Sequence, residues 1–162
     1  MFISIFSHAQ LNRNSLYVEL GGNSGIYSLN YDRLLDVNNR LKFAPRIGFS
    51  TIGRRWFSIP FEANILWSKQ ENAKNFAEFG LGTTFIQTKS RNFNFGGGII
   101  DLDPETGDSK SKSRLLLVGR LGFRHQKPQG GFMFRIGLNI LSNTQNDFKI
   151  KPFPSISLGH SF

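Results

Sequence analysis

From Phe132 the sequence sets Phe132, Phe134, Ile136, Leu138 and Ile140 in one register and Met133, Arg135, Gly137 and Asn139 in the other. The same two-residue rhythm closes the chain, where Ile156, Leu158, His160 and Phe162 alternate with Ser155, Ser157, Gly159 and Ser161. Successive side chains on a strand point to opposite faces, so each segment has one apolar face and one polar face. An exposed, unpaired strand of this kind invites aggregation. A closed barrel in a membrane removes the difficulty, because its last strand pairs with its first and lipid covers the apolar face.

Eight segments share this rhythm. Leu16 to Gly21 sets Leu16, Val18 and Leu20 against Tyr17 and Glu19, and Ile26 to Arg33 sets Tyr27, Leu29 and Tyr31 against Ser28, Asn30 and Asp32. Leu41 to Thr51 opposes Phe43, Pro45, Ile47 and Phe49 to Ala44, Arg46, Gly48 and Ser50. Ser58 to Trp67 opposes Ile59, Phe61, Ala63, Ile65 and Trp67 to Pro60, Glu62 and Asn64. Phe76 to Gln87 faces Ala77, Phe79, Leu81, Thr83 and Phe85 one way and Glu78, Gly80, Gly82 and Thr84 the other. Arg114 to His125 sets Leu115, Leu117, Leu121 and Phe123 against Arg120, Gly122 and Arg124; Gly131 to Leu141 and a terminal segment after Phe153 complete the set. Most of these runs match the roughly 9 to 11 residues that a tilted strand needs to cross hydrocarbon. Pro45 and Pro60 fall inside them, and a bulge at one of the two is expected, since proline cannot donate to a ladder.

The connections alternate in length. The long polar stretch from Thr88 to Ser113 and the Ser142 to Phe153 loop are odd-numbered connections, whereas the even ones are short. Bacterial outer-membrane barrels pair short periplasmic turns with longer extracellular loops. The first connection, Gly21 to Gly25, is the exception on the long-loop side.

Composition agrees with this architecture. The 162 residues suit one domain. Phe and Gly each number 17, only 19% of residues are charged, and the mean hydropathy is −0.25. No stretch approaches the roughly 18 consecutive apolar residues of a spanning helix. Barrel strands escape that test because alternation dilutes their hydrophobicity. The absence of cysteine excludes disulfides, thiolate metal sites and a Cys nucleophile.

A net charge of +9 and a pI near 10.3 raise the question of an anionic partner. Arg54, Arg55, Lys89, Arg91, Lys110, Lys112, Arg114, Lys149 and Lys151 read as loop and turn residues that no single face collects. Anionic lipid headgroups and lipopolysaccharide phosphates come ahead of nucleic acid as their partners. Stacking platforms for nucleic acid interleave aromatic and basic residues on one face, but here the arginines and aromatics take opposite faces. Residues 1–10, Met-Phe-Ile-Ser-Ile-Phe-Ser-His-Ala-Gln, resemble the end of a secretory signal, with a mature N-terminal extension as the alternative. Residues 11–162 then form a single barrel domain.

The polar faces carry a second signal. Together they hold Glu19, Asp32, Glu62 and Glu78 with Arg46, Arg120, Arg124 and Arg135. A lipid-facing arginine near the bilayer centre would cost about 2–4 kcal/mol. Inside an eight-stranded barrel, whose interior is just wide enough for side chains, the same groups can pair through bidentate hydrogen bonds. Glycines 48, 80, 82, 122, 137 and 159 share this face and are expected to make room for the arginines. A soluble ligand-binding barrel would reverse the pattern, with apolar side chains inside. A proton or ion path is conceivable for the cluster, but a plug of salt bridges is favoured, since a packed eight-stranded barrel leaves no aqueous channel.

Other candidate chemistry is weaker. His160 and Ser161 are adjacent, so alternation sends them to opposite faces and neither can activate the other. His8 falls in the signal-like segment, and His125 lies at a strand end beside a turn. Asp101, Asp103, Glu105 and Asp108 loosely resemble a calcium loop without its twelfth-position Glu. Gly96-Gly97-Gly98 lacks the Lys and spacing of a phosphate loop. No catalytic, cofactor-binding or metal-binding residue is assigned, and no cofactor is expected. Trp56, Phe57, Trp67, Tyr27, Tyr31 and Phe162, near strand ends, are expected to form interfacial aromatic girdles.

Tyr17-Val-Glu-Leu-Gly-Gly22, Phe79-Gly-Leu-Gly82, Gly131-Phe-Met-Phe-Arg-Ile-Gly137 and Ser157-Leu-Gly-His-Ser-Phe162 resemble the small eight-stranded outer-membrane barrels of the OmpA and OmpX type. The resemblance runs from about Ser15 to the end and implies an all-β, antiparallel, up-and-down transmembrane barrel in the outer membrane of a Gram-negative bacterium. It also implies that Phe162, with Ile156 and Leu158, acts as the assembly signal read by the barrel-assembly machinery. The function expected is that of a non-enzymatic structural or interaction protein, monomeric or part of a larger membrane complex, with loops touching lipopolysaccharide or a partner. A lipid-modifying enzyme and a soluble ligand-binding barrel are the alternatives.

Overall fold

The computed structural model describes residues 13–52, 56–71, 73–88, 112–143 and 150–162. The signal-like residues 1–10, His8, the glycine run 96–98 and the acidic residues 101–108 lie outside the described residues. Eight antiparallel strands form one closed ladder: β1 (Asn14–Gly21), β2 (Tyr27–Arg33, resuming at Leu35–Asp36), β3 (Leu41–Ile52), β4 (Trp56–Trp67), β5 (Asn75–Thr88), β6 (Lys112–Gln126), β7 (Gly131–Asn143) and β8 (Ile150–Ser161). Each strand pairs with its neighbours in sequence, and β8 pairs with β1 from Ser15↔Ser161 to Gly21↔Ser155. Asn14 and Phe162 exchange backbone hydrogen bonds of 3.0 and 2.9 Å just beyond that ladder. The chain is an all-β, closed, eight-stranded antiparallel barrel.

The register fixes its shape. From Arg124, cross-strand partners run through Arg135, Ser157, Glu19 and Ser28, and the β2–β3 register continues to Ser50, Ser58, Ile86 and Arg114. One circuit thus returns to β6 ten residues from its start. A stagger of this kind tilts the strands and leaves an interior that side chains fill.

The prolines interrupt the ladders without shifting them. Pairing of β3 with β4 stops at Ile47↔Phe61 and resumes in the same register at Ser50↔Ser58, opposite Pro60. Pairing of β2 with β3 lapses beside Pro45 and resumes, again in register, at Leu35↔Phe43. The expected bulge is therefore absent at both prolines. A missing donor costs local hydrogen bonds, while the tilted ladders on either side hold the register. The terminal strand also begins earlier than its alternation suggests, at Ile150, and includes Pro152 and Pro154.

Inside and outside follow the parity of every strand. Leu16, Val18, Leu29, Phe49, Phe61, Leu81, Leu121 and Ile136 are exposed, whereas Tyr17, Glu19, Asn30, Arg46, Glu62, Arg120 and Arg135 are buried. Between the strand ends, no outward position of the described strands carries Asp, Glu, Lys or Arg. The interior has three layers. Charged and amide side chains occupy the middle. Trp56, Ile86, Leu116, Val118 and Leu141 pack together at the end bearing the long connections. Leu34, Ala44, Leu66 and Phe76 pack at the hairpin-turn end.

Trp56 corrects an expectation. It is not part of an aromatic girdle, because it points inward and is 3% exposed. Trp67, Tyr27, Tyr31 and Phe162 do face outward. Lys112, Arg114 and Lys151 are likewise strand residues rather than loop residues.

Candidate functional site

The middle layer draws its eight charged residues from seven strands, two from β6 and one from each of β1 to β5 and β7. Glu19 (β1), Arg46 (β3), Glu62 (β4) and Arg120 (β6) form its hub, and the paired side chains are fully buried. Arg46 Nη2 lies 2.8 Å from Glu19 Oε1, and its Nη1 lies 3.0 Å from Glu62 Oε2. Arg120 Nη1 reaches Glu19 Oε2 at 2.8 Å and Asn139 Oδ1 at 3.2 Å. Asn30 Oδ1 accepts from Arg46 Nε and Nη2, and Ser157 Oγ donates to Glu19. The Glu19 carboxylate is therefore shared by two arginines and a hydroxyl.

Two further pairs lie nearer the hairpin turns. Arg124 Nη1 and Nη2 form a fork on Asp32 at 2.7 and 2.8 Å, and the same side chain donates to Ser15 and Gln126. Arg135 donates through Nε and Nη2 to Glu78 and through Nη1 to the Tyr17 hydroxyl. Tyr17 sits between two cations: the Arg135 guanidinium is 4.8 Å from its ring centre and that of Arg46 is 5.6 Å away. Arg120 Nε lies 4.0 Å from Glu78 Oε2, so Arg120 links the hub to the Arg135–Glu78 pair.

All eight charged residues singled out in the sequence, Glu19, Asp32, Arg46, Glu62, Glu78, Arg120, Arg124 and Arg135, thus lie in the lumen, each within an ion pair. The glycines opposite them have several tasks. A Cβ at Gly137 would approach Arg120 Nη2 to 3.1 Å, the kind of relief expected. At Gly159 it would instead collide with Tyr17 and the Leu16 carbonyl, and at Gly48 with Asn30 and Pro60. Room for the aromatic and the amides matters as much as room for the arginines.

Sequence parity placed Tyr17, Asn30, Asn139 and Ser157 on the inner face without giving them partners. The first connection was missed outright. Gly22–Ser24 forms a single 3₁₀ turn, flanked by Gly21 and Gly25 at φ 72° and 104°, that folds into the barrel instead of away from it. Asn23 and Ser24 are fully buried and the turn touches β4, β7 and β8 across the lumen. Asn23 Nδ2 donates to Glu62, and Ser58 Oγ donates to the Ser24 carbonyl. The positive φ values explain the glycines that seemed only to make a tight hairpin.

The arrangement neutralises charge and fills space. His160 is exposed on the outside and Ser161 is buried inside, so they share no site. His125 Nδ1 lies 2.7 Å from Asn75 Oδ1, with its ring stacked on Phe134 at 5.4 Å. Among the described residues, no group of three or more His, Cys, Asp or Glu is placed to hold a metal ion.

No family model matches the sequence, and no curated protein is similar to it. Among solved structures, the chain is similar to the N-terminal β-barrel domain of Pseudomonas aeruginosa OprF. That likeness covers 93% of this chain and 98% of the OprF domain with a TM-score of 0.58, at 10% sequence identity. At that identity the two share a fold.

Proposed function

We propose that this chain is an integral barrel of a bacterial outer membrane that acts as a structural or interaction protein with a sealed, charge-paired interior. The observation that carries the reading is the segregation of charge. The outward belt of a closed ladder bears none between the strand ends, while eight charged side chains sit paired within. In water that belt would be a large apolar surface of the kind soluble monomers avoid. In a bilayer, closure satisfies every backbone donor and acceptor, and lipid covers the belt. The closed barrel, a fold shared with the OprF domain, is an architecture that can span a bilayer.

In this reading, the long connections face the cell exterior and contact lipopolysaccharide or a protein partner, and the short turns face the periplasm. Ile156 and Leu158 on β8 and Phe162 just past its end stand outward as the signal for the barrel-assembly machinery. Two apolar layers, the ion-pair layer and the inward-folded first connection support a sealed interior. The test is direct. Detergent-folded protein should migrate differently in gels before and after boiling, and barrels in planar bilayers should show no steady conductance. Identical mobility together with solubility in plain buffer would sink the membrane reading. A steady open current would sink the sealed interior alone.

A further inference from the structure

The outward belt is not evenly filled. Across β4 to β7, one cross-strand row reads Ala63, Leu81, Gly119 and Ile140. The small residues Ala63 and Gly119 flank Leu81, which is 74% exposed. With Phe43, Ile65, Phe79 and Leu121 they line an apolar groove of about 470 Å³ on the outer wall. Gly119 is not demanded by the backbone. A Cβ there would meet only Ile140, at an ordinary 3.8 Å, so the hollow is a property of this sequence and not of the fold.

The groove's Phe43 and Ile65 end lies two residues from Leu41 and Trp67, a cross-strand pair at the hairpin-turn end. Immediately beyond come Arg40 and Lys69, on neighbouring connections tied by the 2.9 Å bond from Ser68 N to the Arg40 carbonyl, and then Lys74 on the same connection as Lys69. All three are exposed, and their side chains have no ion-pair partner among the described residues. Glu71 is the one acid of that connection and accepts from Asn39. The whole turn end is skewed the same way: Arg13, Arg33, Arg40, Lys42, Lys69, Lys74 and Lys127 stand against Asp36 and Glu71.

We propose that this groove and its basic rim hold one anionic diacyl phospholipid of the leaflet at the hairpin-turn end. Its acyl chain fills the Ala63–Gly119 hollow, and its phosphate group is held by Arg40, Lys69 and Lys74. The inference rests on the membrane reading and names a lipid partner for it. Charge complementarity selects the headgroup, because basic side chains at a bilayer surface attract anionic lipid over a Debye length. The apolar lining selects the chain over any polar ligand.

Trp67, half exposed beside the groove's entrance, is a native reporter. Full-length barrel is inserted into phosphatidylcholine vesicles that contain brominated phosphatidylglycerol or brominated phosphatidylcholine, and quenching of tryptophan fluorescence is measured. The brominated phosphatidylglycerol should quench at a mole fraction on the order of tenfold lower at low salt, with the advantage shrinking in high salt. The triple variant Arg40→Gln, Lys69→Gln, Lys74→Gln should lose the preference, and Gly119→Leu, which fills the hollow, should at least halve it. Lys127→Gln, on a different turn, should retain it. Equal quenching by the two lipids, or a preference unchanged in both the triple and the Gly119 variants, overturns the inference. The boiling-dependent mobility shift is read on the same vesicles. If the shift is present but quenching is equal, only the lipid site falls; if the shift is absent, the membrane reading falls and the lipid site with it.

Discussion

The lumen's charged middle and its apolar loop end are both buried but hold together differently. In the loop-end cluster, Trp56, Ile86, Leu116, Val118 and Leu141 make non-directional contacts, so losing one leaves a cavity and little else. In the middle layer, each residue is the counter-ion of another. Removing one strands a buried charge, at a cost that can exceed what the intact pair contributes. The apolar ends supply stability residue by residue, whereas the middle is one interdependent unit.

Glu19→Leu should break the comparison most sharply. It leaves Arg46 and Arg120 without the carboxylate they share, and a loss at or above the top of the range of about 3–5 kcal/mol for a broken buried pair is expected in urea unfolding of the micelle-folded barrel. Arg135→Leu and Glu78→Leu should each cost about 3–5 kcal/mol, and the double variant should lose less than the two combined, because it removes both charges. Strict additivity in that cycle would show that the two residues are not partners. Trp56→Ala should cost about 3 kcal/mol, and combining it with Arg135→Leu should give simple additivity. The smallest effect tests the inward turn: Asn23→Ala removes one donor from Glu62 and should cost about 1–2 kcal/mol. If amide exchange at residues 22–24 is as fast in the parent as in unstructured peptide, the turn does not occupy the lumen.

Much of this molecule was readable before folding, for a reason tied to the period of two. Burial on one face forces every residue of a strand onto a side, so the eight strands and the inner positions of Arg46, Glu78 and Arg135 follow from parity alone. Partners do not. Arg46 and Glu62 face each other on adjacent strands and could be paired once the hairpin register is known. Arg124 and Asp32 are 92 positions apart, and Arg120 and Glu19 are 101 apart, so they meet only because the sheet curls into a ring. Trp56 shares the parity of Ser58, Glu62 and Asn64, so the alternation carried back two residues from Ser58 turns its ring inward. The inward fold of Gly22–Ser24 had no periodic signal, since a five-residue connection rich in glycine is compatible with many paths.

The distances in sequence between these partners have a kinetic consequence. Arg135 and Tyr17 are 118 residues apart, and Ser157 and Glu19 are 138 apart. Neither bond can form until β1 and β8 come together, so this part of the middle layer matures only at the last seam. Loop-closure entropy is spent before those long-range contacts reward it, which makes folding slow and late-committing. Until then Arg120 and Arg124 lack their partners Glu19 and Asp32 and are best accommodated while still hydrated. The bonds that join β1 and β2 to β6, β7 and β8 are thus a latch as well as a filling: a nearly complete sheet lacks them, and the finished ring acquires them.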